Sequence, residues 1–145
     1  TEALELGRRT AAEMNLTNVT FELGDAFDQQ AVASIRPRPN IAISSGLYEL
    51  FPENALVLRS LNGLFEALEP DGWLIYTNQP WHPQIEMIAR VLPNRDGMPW
   101  VMRRRTQAEM DQLVQSTGFE KDAMRIDPAG LFTVSLARRS SRDIT

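Results

Sequence analysis

Asn18-Val19-Thr20-Phe21-Glu22-Leu23-Gly24-Asp25-Ala26-Phe27 decides how the rest of the chain is read. Val19–Leu23, rich in β-branched and aromatic side chains, reads as a strand that stops abruptly at Gly24-Asp25. Such a stop sets a carboxylate and adjacent backbone amides at the carboxyl edge of a sheet, where open α/β sheets hold their ligands. Gly and Asp are also ordinary turn residues, so the segment alone leaves a ligand corner and a plain turn both open.

On its N-terminal side, Leu4, Ala11 and Met14 among the polar residues of Glu2 to Asn15 predict a surface helix that covers a sheet. On its C-terminal side a short helix is expected near Gln29–Ile35, stopped by Pro37 and Pro39. Asn40-Ile41-Ala42-Ile43-Ser44 is a compact apolar run, expected as a strand buried on both faces of a parallel sheet. It breaks into the loop Ser45-Gly46-Leu47-Tyr48-Glu49-Leu50-Phe51. From Pro52 a helix is expected in which Val57, Leu61, Leu64, Phe65 and Leu68 share one buried face.

Glu69-Pro70-Asp71-Gly72 stops that helix, and Trp73–Thr77 reads as the next strand. A loop from Asn78 to Pro83 leads to a helix bearing Ile85, Ile88, Ala89 and Leu92, and Pro93–Pro99 is turn-rich. Thr106-Gln107-Ala108-Glu109 forms a capping box for a helix that buries Met110, Leu113 and Val114 and ends at Gly118. Strands at about Phe119–Ile126 and Leu131–Ala137, joined by Asp127-Pro128-Ala129-Gly130, complete the pattern as a hairpin. The domain is expected to span residues 1–138, with 139–145 as a polar tail. Strand alternating with helix and ending in a hairpin implies an open α/β sheet, mostly parallel, with an antiparallel strand at its edge.

At 145 residues the chain is one domain's worth, long enough to bury a core. No apolar run nears the roughly 20 residues that span a bilayer, and no signal-peptide pattern opens the chain. A cytoplasmic protein without a membrane span is the expectation. The absence of cysteine excludes disulfides and thiolate chemistry, and the single histidine, His82, excludes a histidine-rich metal site within the chain. A net charge of −4 argues against nucleic-acid binding, which requires basic surface. The chain opens at Thr1 directly into a helical pattern, which suggests the later part of a longer polypeptide.

This order of features resembles the later part of a class I S-adenosylmethionine-dependent methyltransferase. Gly24-Asp25-Ala26-Phe27 stands where that family ends its third strand, and Asn40–Ser44 resembles its fourth strand, which leads into an active-site loop. Leu68-Glu69-Pro70-Asp71-Gly72 resembles the family's Leu-x-Pro-Gly-Gly entry to strand five, and the Thr-capped helix with the closing hairpin resembles its C-terminal end. Within the family, the loop from Ser45 to Phe51 together with Gln79-Pro80-Trp81-His82-Pro83 is similar to a group of bacterial methyltransferases, some fused to hydrolase-like domains. The resemblance covers nearly the whole chain, and the order and spacing of its motifs carry it.

One departure stands out. Class I methyltransferases hold the cofactor with a glycine-rich loop after their first strand and a carboxylate ending their second. The eight glycines here include no Gly-x-Gly. Aligned on Gly24-Asp25, Thr1 falls just past the family's second strand, so the resemblance implies that the first two strands are missing and the natural protein is longer at its N-terminus. In the family those strands lie between the third and the fourth. Without them Val19–Leu23 would lose its neighbour, and Ile41–Ser44 would present an apolar edge prone to self-association.

The resemblance also implies S-adenosylmethionine as cofactor. Asp25 would accept a hydrogen bond from the adenine amine, the Ala26 amide would reach a ring nitrogen, and Phe27 would flank the base. Ser44, Ser45 and Gly46 would meet the methionine end. Tyr48, with Asn78, Gln79 and Trp81 from the loop after strand five, would contact the substrate. Methyl transfer to oxygen or nitrogen is an in-line displacement that needs alignment and, for some acceptors, a base. Glu49 and His82 are the candidate catalytic residues.

Each has a plainer reading: a turn acid at Asp25, a tight turn at the serines, packing at Tyr48 and a structural role at His82. Arg103-Arg104-Arg105 reads either as an anion site or as a solvated charge run. The expected function is S-adenosylmethionine-dependent methyl transfer to a small-molecule or lipid-related acceptor, which the fold does not specify. The alternatives are a noncatalytic Rossmann-like module or degenerate methyltransferase serving as a partner domain, and, third, another nucleotide-using α/β enzyme.

Overall fold

The structure is a computed structural model that describes residues 2–94 and 96–140. Its helices are α1 (Glu2–Glu13), α2 (Gln29–Ala33), α3 (Asn54–Ala67), α4 (Ile85–Val91) and α5 (Gln107–Ser116). Its strands are β1 (Ile41–Ser44), β2 (Trp73–Asn78), β3 (Phe119–Ile126) and β4 (Thr133–Arg139), and a 3₁₀ turn covers Tyr48–Leu50. Arg139 of the expected tail therefore belongs to β4, and residues 141–145 of that tail lie outside the described residues.

The strands form one mixed α/β sheet in the order β1-β2-β4-β3. β1 and β2 run parallel, with Ile41 opposite Trp73 and Ser44 opposite Tyr76. β4 is antiparallel to both β2 and β3. The parallel pair sends both of its carboxyl ends, Ser44 and Asn78, to one edge of the sheet.

Alternation along β2 sorts its side chains, with Leu74, Tyr76 and Asn78 buried. On that face Leu74, Tyr76 and Ala137 pack with Val57 and Leu61 of α3, Met110 and Val114 of α5, and Phe119. Each large apolar side chain buried in this way contributes roughly 1.5–3 kcal/mol. Phe65 and Phe119 meet edge to face, ring centroids 5.1 Å apart.

The Pro-Asp-Gly turn joins three segments. A Cβ on Gly72 would lie 2.8 Å from the Glu69 carbonyl and 3.1 Å from that of Asn40, so only glycine allows this approach. Trp73 N then donates to Asn40 O, and Arg139 N donates to Gly72 O, both at 2.8 Å. At the start of α5 the Thr106 hydroxyl accepts from Glu109 N at 3.1 Å. The other half of the expected capping box is replaced: the Glu109 carboxylate takes Arg103 and Asn54 instead. Gly118 ends the α5 turn at φ +98, as its position predicts.

Two expectations are corrected. Val19–Leu23 forms no strand. Strand propensity needs a ladder partner, and none of the described strands lies beside it; the Phe21 carbonyl accepts from Arg8 Nη2 of α1 at 3.1 Å. β1, expected to be buried on both faces, is an edge strand paired only with β2, and Ile43 is 68% exposed.

Candidate functional site

The carboxyl ends of β1 and β2 and the Gly24–Phe27 turn supply the expected site residues. Asp25 Oδ1 accepts from Phe27 N at 2.9 Å, and Asp28 N donates to Asp25 O at 3.1 Å, so the turn is braced by its own acid. Asp28 in turn caps α2 through Ala31 N. Asp25 and Ala26 are exposed. Phe27 is buried beneath them and meets Phe51 edge to face at 4.5 Å between centroids, linking this turn to the loop after β1.

That loop is tied to β2 where Gly46 N donates to Thr77 Oγ1 at 2.8 Å, with Gly46 at φ +66. Between the Asp25 turn and the end of β1 lies an open depression of about 340 Å³. Ala26, Ile43, Ser44, Ser45 and Leu47 line it, with Val32 of α2, Ile35 just beyond it, and Ser60 and Leu64 of α3; Asp25 and Gly46 flank it without lining it. The Ser44 hydroxyl is buried near the Tyr48 hydroxyl without a hydrogen bond of normal geometry.

Tyr48 is a buried post whose hydroxyl pairs with Ser60 Oγ at 3.1 Å. Burial pushes its pKa up, and the Ser44 and Ser60 hydroxyls oppose the rise. Glu49 is 6% exposed, and neither carboxylate oxygen has a hydrogen-bond partner. Burial raises its pKa, opposed by its own backbone amide and by the Arg105 charge. A buried acid of this kind is poised to exchange a proton.

Arg105, only 1% exposed, organises this loop. Its Nη1 donates to Tyr48 O at 2.6 Å, its Nη2 to Phe51 O at 2.8 Å, and its Nε to Asn54 Oδ1 at 2.8 Å. Burial and the neighbouring Arg103 charge lower its pKa, while Glu109, Glu49 and Glu53 push it back up. Arg103 donates to Pro52 O and to Glu109, each at 2.5 Å, and its amide donates to Glu49 O at 3.0 Å. Two of the three consecutive arginines are thus loop anchors, neither an anion site nor a solvated run. No periodicity or motif marks Arg105 in the sequence, because its partners come together only on folding.

From the β2 end, Asn78 is buried and donates to Arg105 O at 3.1 Å, and Gln79 is buried beside it in sequence. Trp81 is exposed on the outer part of the loop. His82 Nδ1 accepts from Gln84 N at 3.1 Å, which in the neutral ring puts the proton on Nε2. The ring therefore offers a donor at Nε2. The structure brings Tyr48, Glu49 and Asn78 together around Arg105, and Ala26, Ser44 and Ser45 around the depression. It leaves Trp81 and His82 on the outer loop.

Among the described residues no group of three acidic, histidine or cysteine side chains is arranged to hold a metal, and no helix is long and apolar enough to cross a membrane.

Residues 2–139 match the family model described as "Putative methyltransferase". The uncharacterized protein YnbC of Escherichia coli K12 is 56% identical over 135 residues, which is 92% of this chain and 23% of that protein, so the chain spans under a quarter of this curated relative's length. A structure described as a possible exported protein from Bordetella parapertussis superposes with a TM-score of 0.75 at 24% identity, covering 97% of this chain and 51% of that one. An S-adenosylmethionine-dependent methyltransferase from Methanosarcina mazei superposes with a TM-score of 0.71 at 18% identity, covering 98% and 79%. The apo form of the S-adenosylmethionine-dependent methyltransferase SibL gives 0.74 at 19% identity, covering 96% and 41%. At these identities the structural likeness concerns the fold. With the family match over nearly its whole length, the chain belongs to the family described as "Putative methyltransferase", and its fold is that of the S-adenosylmethionine-dependent methyltransferases it superposes on.

Proposed function

We propose that this member of the family binds S-adenosylmethionine in the depression between the Asp25–Phe27 turn and the Ser44–Gly46 strand end, and methylates a small-molecule or lipid-related acceptor beside the Tyr48–Glu49 loop. One observation carries the reading: the depression joins Ala26 to Ser44 and Ser45, segments that the family resemblance assigns separately to the two ends of one cofactor. The Ser44 hydroxyl lines the depression without a hydrogen bond of normal geometry, and the Asp25 carboxylate is exposed next to Ala26 at its rim, which supports a polar ligand there.

S-adenosylmethionine would supply an electrophilic methyl group. The chain's own residues would do the rest. Asp25 would accept a hydrogen bond from the adenine amine on the oxygen that Phe27 N leaves free, and Phe27 would support the turn from below. Ser44, Ser45 and Gly46 would line the methionine end. Glu49 would take the proton of an acceptor hydroxyl or amine, which suits a carboxyl raised by burial. His82 is the second acid–base candidate, and Tyr48, Asn78, Gln79 and Trp81 are the proposed substrate-side residues.

The same reading makes this a cytoplasmic bacterial enzyme without a nucleic-acid partner, in keeping with its net charge of −4. The exposed Ile41 and Ile43 support self-association through the β1 edge. A second reading, a noncatalytic Rossmann-like partner domain within a larger protein, is favoured by the length of the curated relative, of which this chain matches 23%.

Calorimetric titration of the intact protein with S-adenosylmethionine tests the proposal. Binding is expected, and Asp25→Ala should weaken it about tenfold. No binding to the intact wild-type protein, or full affinity in the variant, overturns the site.

A further inference from the structure

Between the end of β2 and the start of α5 the chain runs over the outside of the fold. Among the described residues from Trp81 to Arg104 none is buried, and α4, within this stretch, gives no side chain to the core. Met87, Val91, Met98, Trp100 and Val101 are 37–68% exposed. An excursion that carries large apolar side chains and buries none of them marks a contact surface.

These side chains belong to one unit. Met87 and Val91 stand one turn apart on α4. Leu92, next to Val91, accepts from Trp100 N at 2.9 Å, and Asn94 N donates to Met98 O at 2.7 Å. Asn94 Oδ1 also accepts from Met98 N at 2.9 Å. Hydrogen bonds thus tie the turn after α4 to the end of that helix, with its apolar side chains in water.

Charge selects the partner. In the sequence of residues 81–105 five arginines stand against two acids, Glu86 and Asp96, so the acid excess of this chain of net charge −4 lies elsewhere. Arg103 and Arg105 are committed to the loop after β1, which leaves Arg90, Arg95 and Arg104 against the same two acids. Arg104 is exposed, and Arg90, paired with Glu86 at 2.7 Å, keeps its side chain 75% exposed. A second copy docked here through a twofold axis would bring the same basic excess to both sides of the contact. An anionic surface complements it, and screening over roughly 8 Å keeps more distant acids from opposing the approach.

We infer that this excursion seats the protein on the surface of an anionic lipid bilayer. Met87, Val91, Trp100 and Val101 enter the headgroup layer, and Arg90 and Arg104 meet lipid phosphates. The basic excess is small, so apolar insertion supplies most of the binding and charge chooses the lipid. The contact spans nothing, and it does not depend on the methyl-transfer reading.

Co-sedimentation of the intact protein with vesicles tests it, phosphatidylcholine mixed with phosphatidylglycerol being compared with phosphatidylcholine alone. The variants are Val91→Asp, Val101→Asp and Arg104→Gln, with Ile126→Asp at the end of β3 as the control. Ile126 is 63% exposed, close to the 68% of Val91 and Val101, and a thermal melt of each variant verifies its fold. Quenching by lipids brominated on their acyl chains, read as the difference between wild type and Trp100→Phe, reports whether Trp100 enters the bilayer.

Binding to the mixed vesicles is expected, about fivefold tighter than to phosphatidylcholine alone. Each aspartate variant should weaken it about tenfold and Arg104→Gln about fivefold, while the control stays within about twofold. Trp100 should be quenched. No binding to the mixed vesicles, equal binding to the two compositions, unchanged binding in the aspartate variants, or an unquenched Trp100 overturns the inference. So does sedimentation showing that Val101→Asp splits a dimer, which would make the face an interface between copies. No cofactor enters these assays. Failure here therefore leaves the proposed S-adenosylmethionine site standing, and failure of that cofactor to bind leaves the bilayer contact standing.

Discussion

Arg105 Nη1 donates to the Tyr48 carbonyl at 2.6 Å, joining positions 57 residues apart in the chain. The same guanidinium also holds Phe51 O and Pro52 O, and its Nε holds Asn54. One buried side chain thus fixes both ends of the loop that carries Glu49. The bond to Tyr48 O is buried, and those to Phe51 O and Pro52 O are partly buried.

Removing that fork should cost more than removing its neighbour. Arg105→Met leaves buried carbonyls without donors, and a loss of about 2–4 kcal/mol in urea unfolding is expected. Arg103, whose side chain is 37% exposed, should cost under about 1 kcal/mol on the same substitution. Arg105→Lys should recover only part of the loss, since an ammonium cannot reproduce the planar fork. Equal effects at the two positions would contradict the clamp.

The buried Glu49 predicts a pH signature. Its folded-state pKa is raised by burial, so the folded protein keeps a proton that the unfolded chain releases. Stability should therefore fall as pH rises from the ordinary carboxylate range through the raised value. Glu49→Gln removes this loss. Thermal melts should show the variant more stable than wild type above neutral pH, with the difference closing by about pH 4. A difference constant across pH would show that Glu49 is not buried as described.

Asp127 predicts the opposite sign. Leu131 N and Phe132 N both donate to its Oδ1 at 2.7 Å, and Ala129 N donates to Oδ2 at 3.2 Å. The Phe132 amide contributes most to holding its pKa below the usual range. Its contribution should be present above the ordinary aspartate pKa and disappear as pH falls through the depressed one. Asp127→Asn should lower the melting temperature at neutral pH, and the difference should shrink in strong acid. An acid-independent difference would rule out the charged turn as its source.

These three positions also show what a sequence can and cannot disclose. Asp127 sits in a local Asp-Pro-Ala-Gly signal, and Thr106 and Gly118 bound α5 by equally local rules, so all three are legible residue by residue. The buried face of α3 is legible from its spacing, and β3 has the bounds expected for it. Val19–Leu23 has strand propensity, but pairing is non-local and its neighbours in the described structure are not strands. Arg105 is identical in type to the exposed Arg104 beside it, and its burial is decided by carbonyls that arrive from residues 48–52. The isolation of the Glu49 carboxylate likewise depends on packing that no spacing rule describes.

The central claim is that the Asp25–Phe27 turn and the Ser44–Gly46 strand end form one cofactor site. Amide ¹H–¹⁵N spectra of the intact protein, titrated with S-adenosylhomocysteine, test it most directly. The account predicts that the Ala26, Ser45 and Gly46 amides shift together along a single saturation curve, while Ala129 and Gly130 in the β3–β4 turn stay fixed. Saturation without movement at Ala26 and Gly46, or no saturation at all, would contradict it.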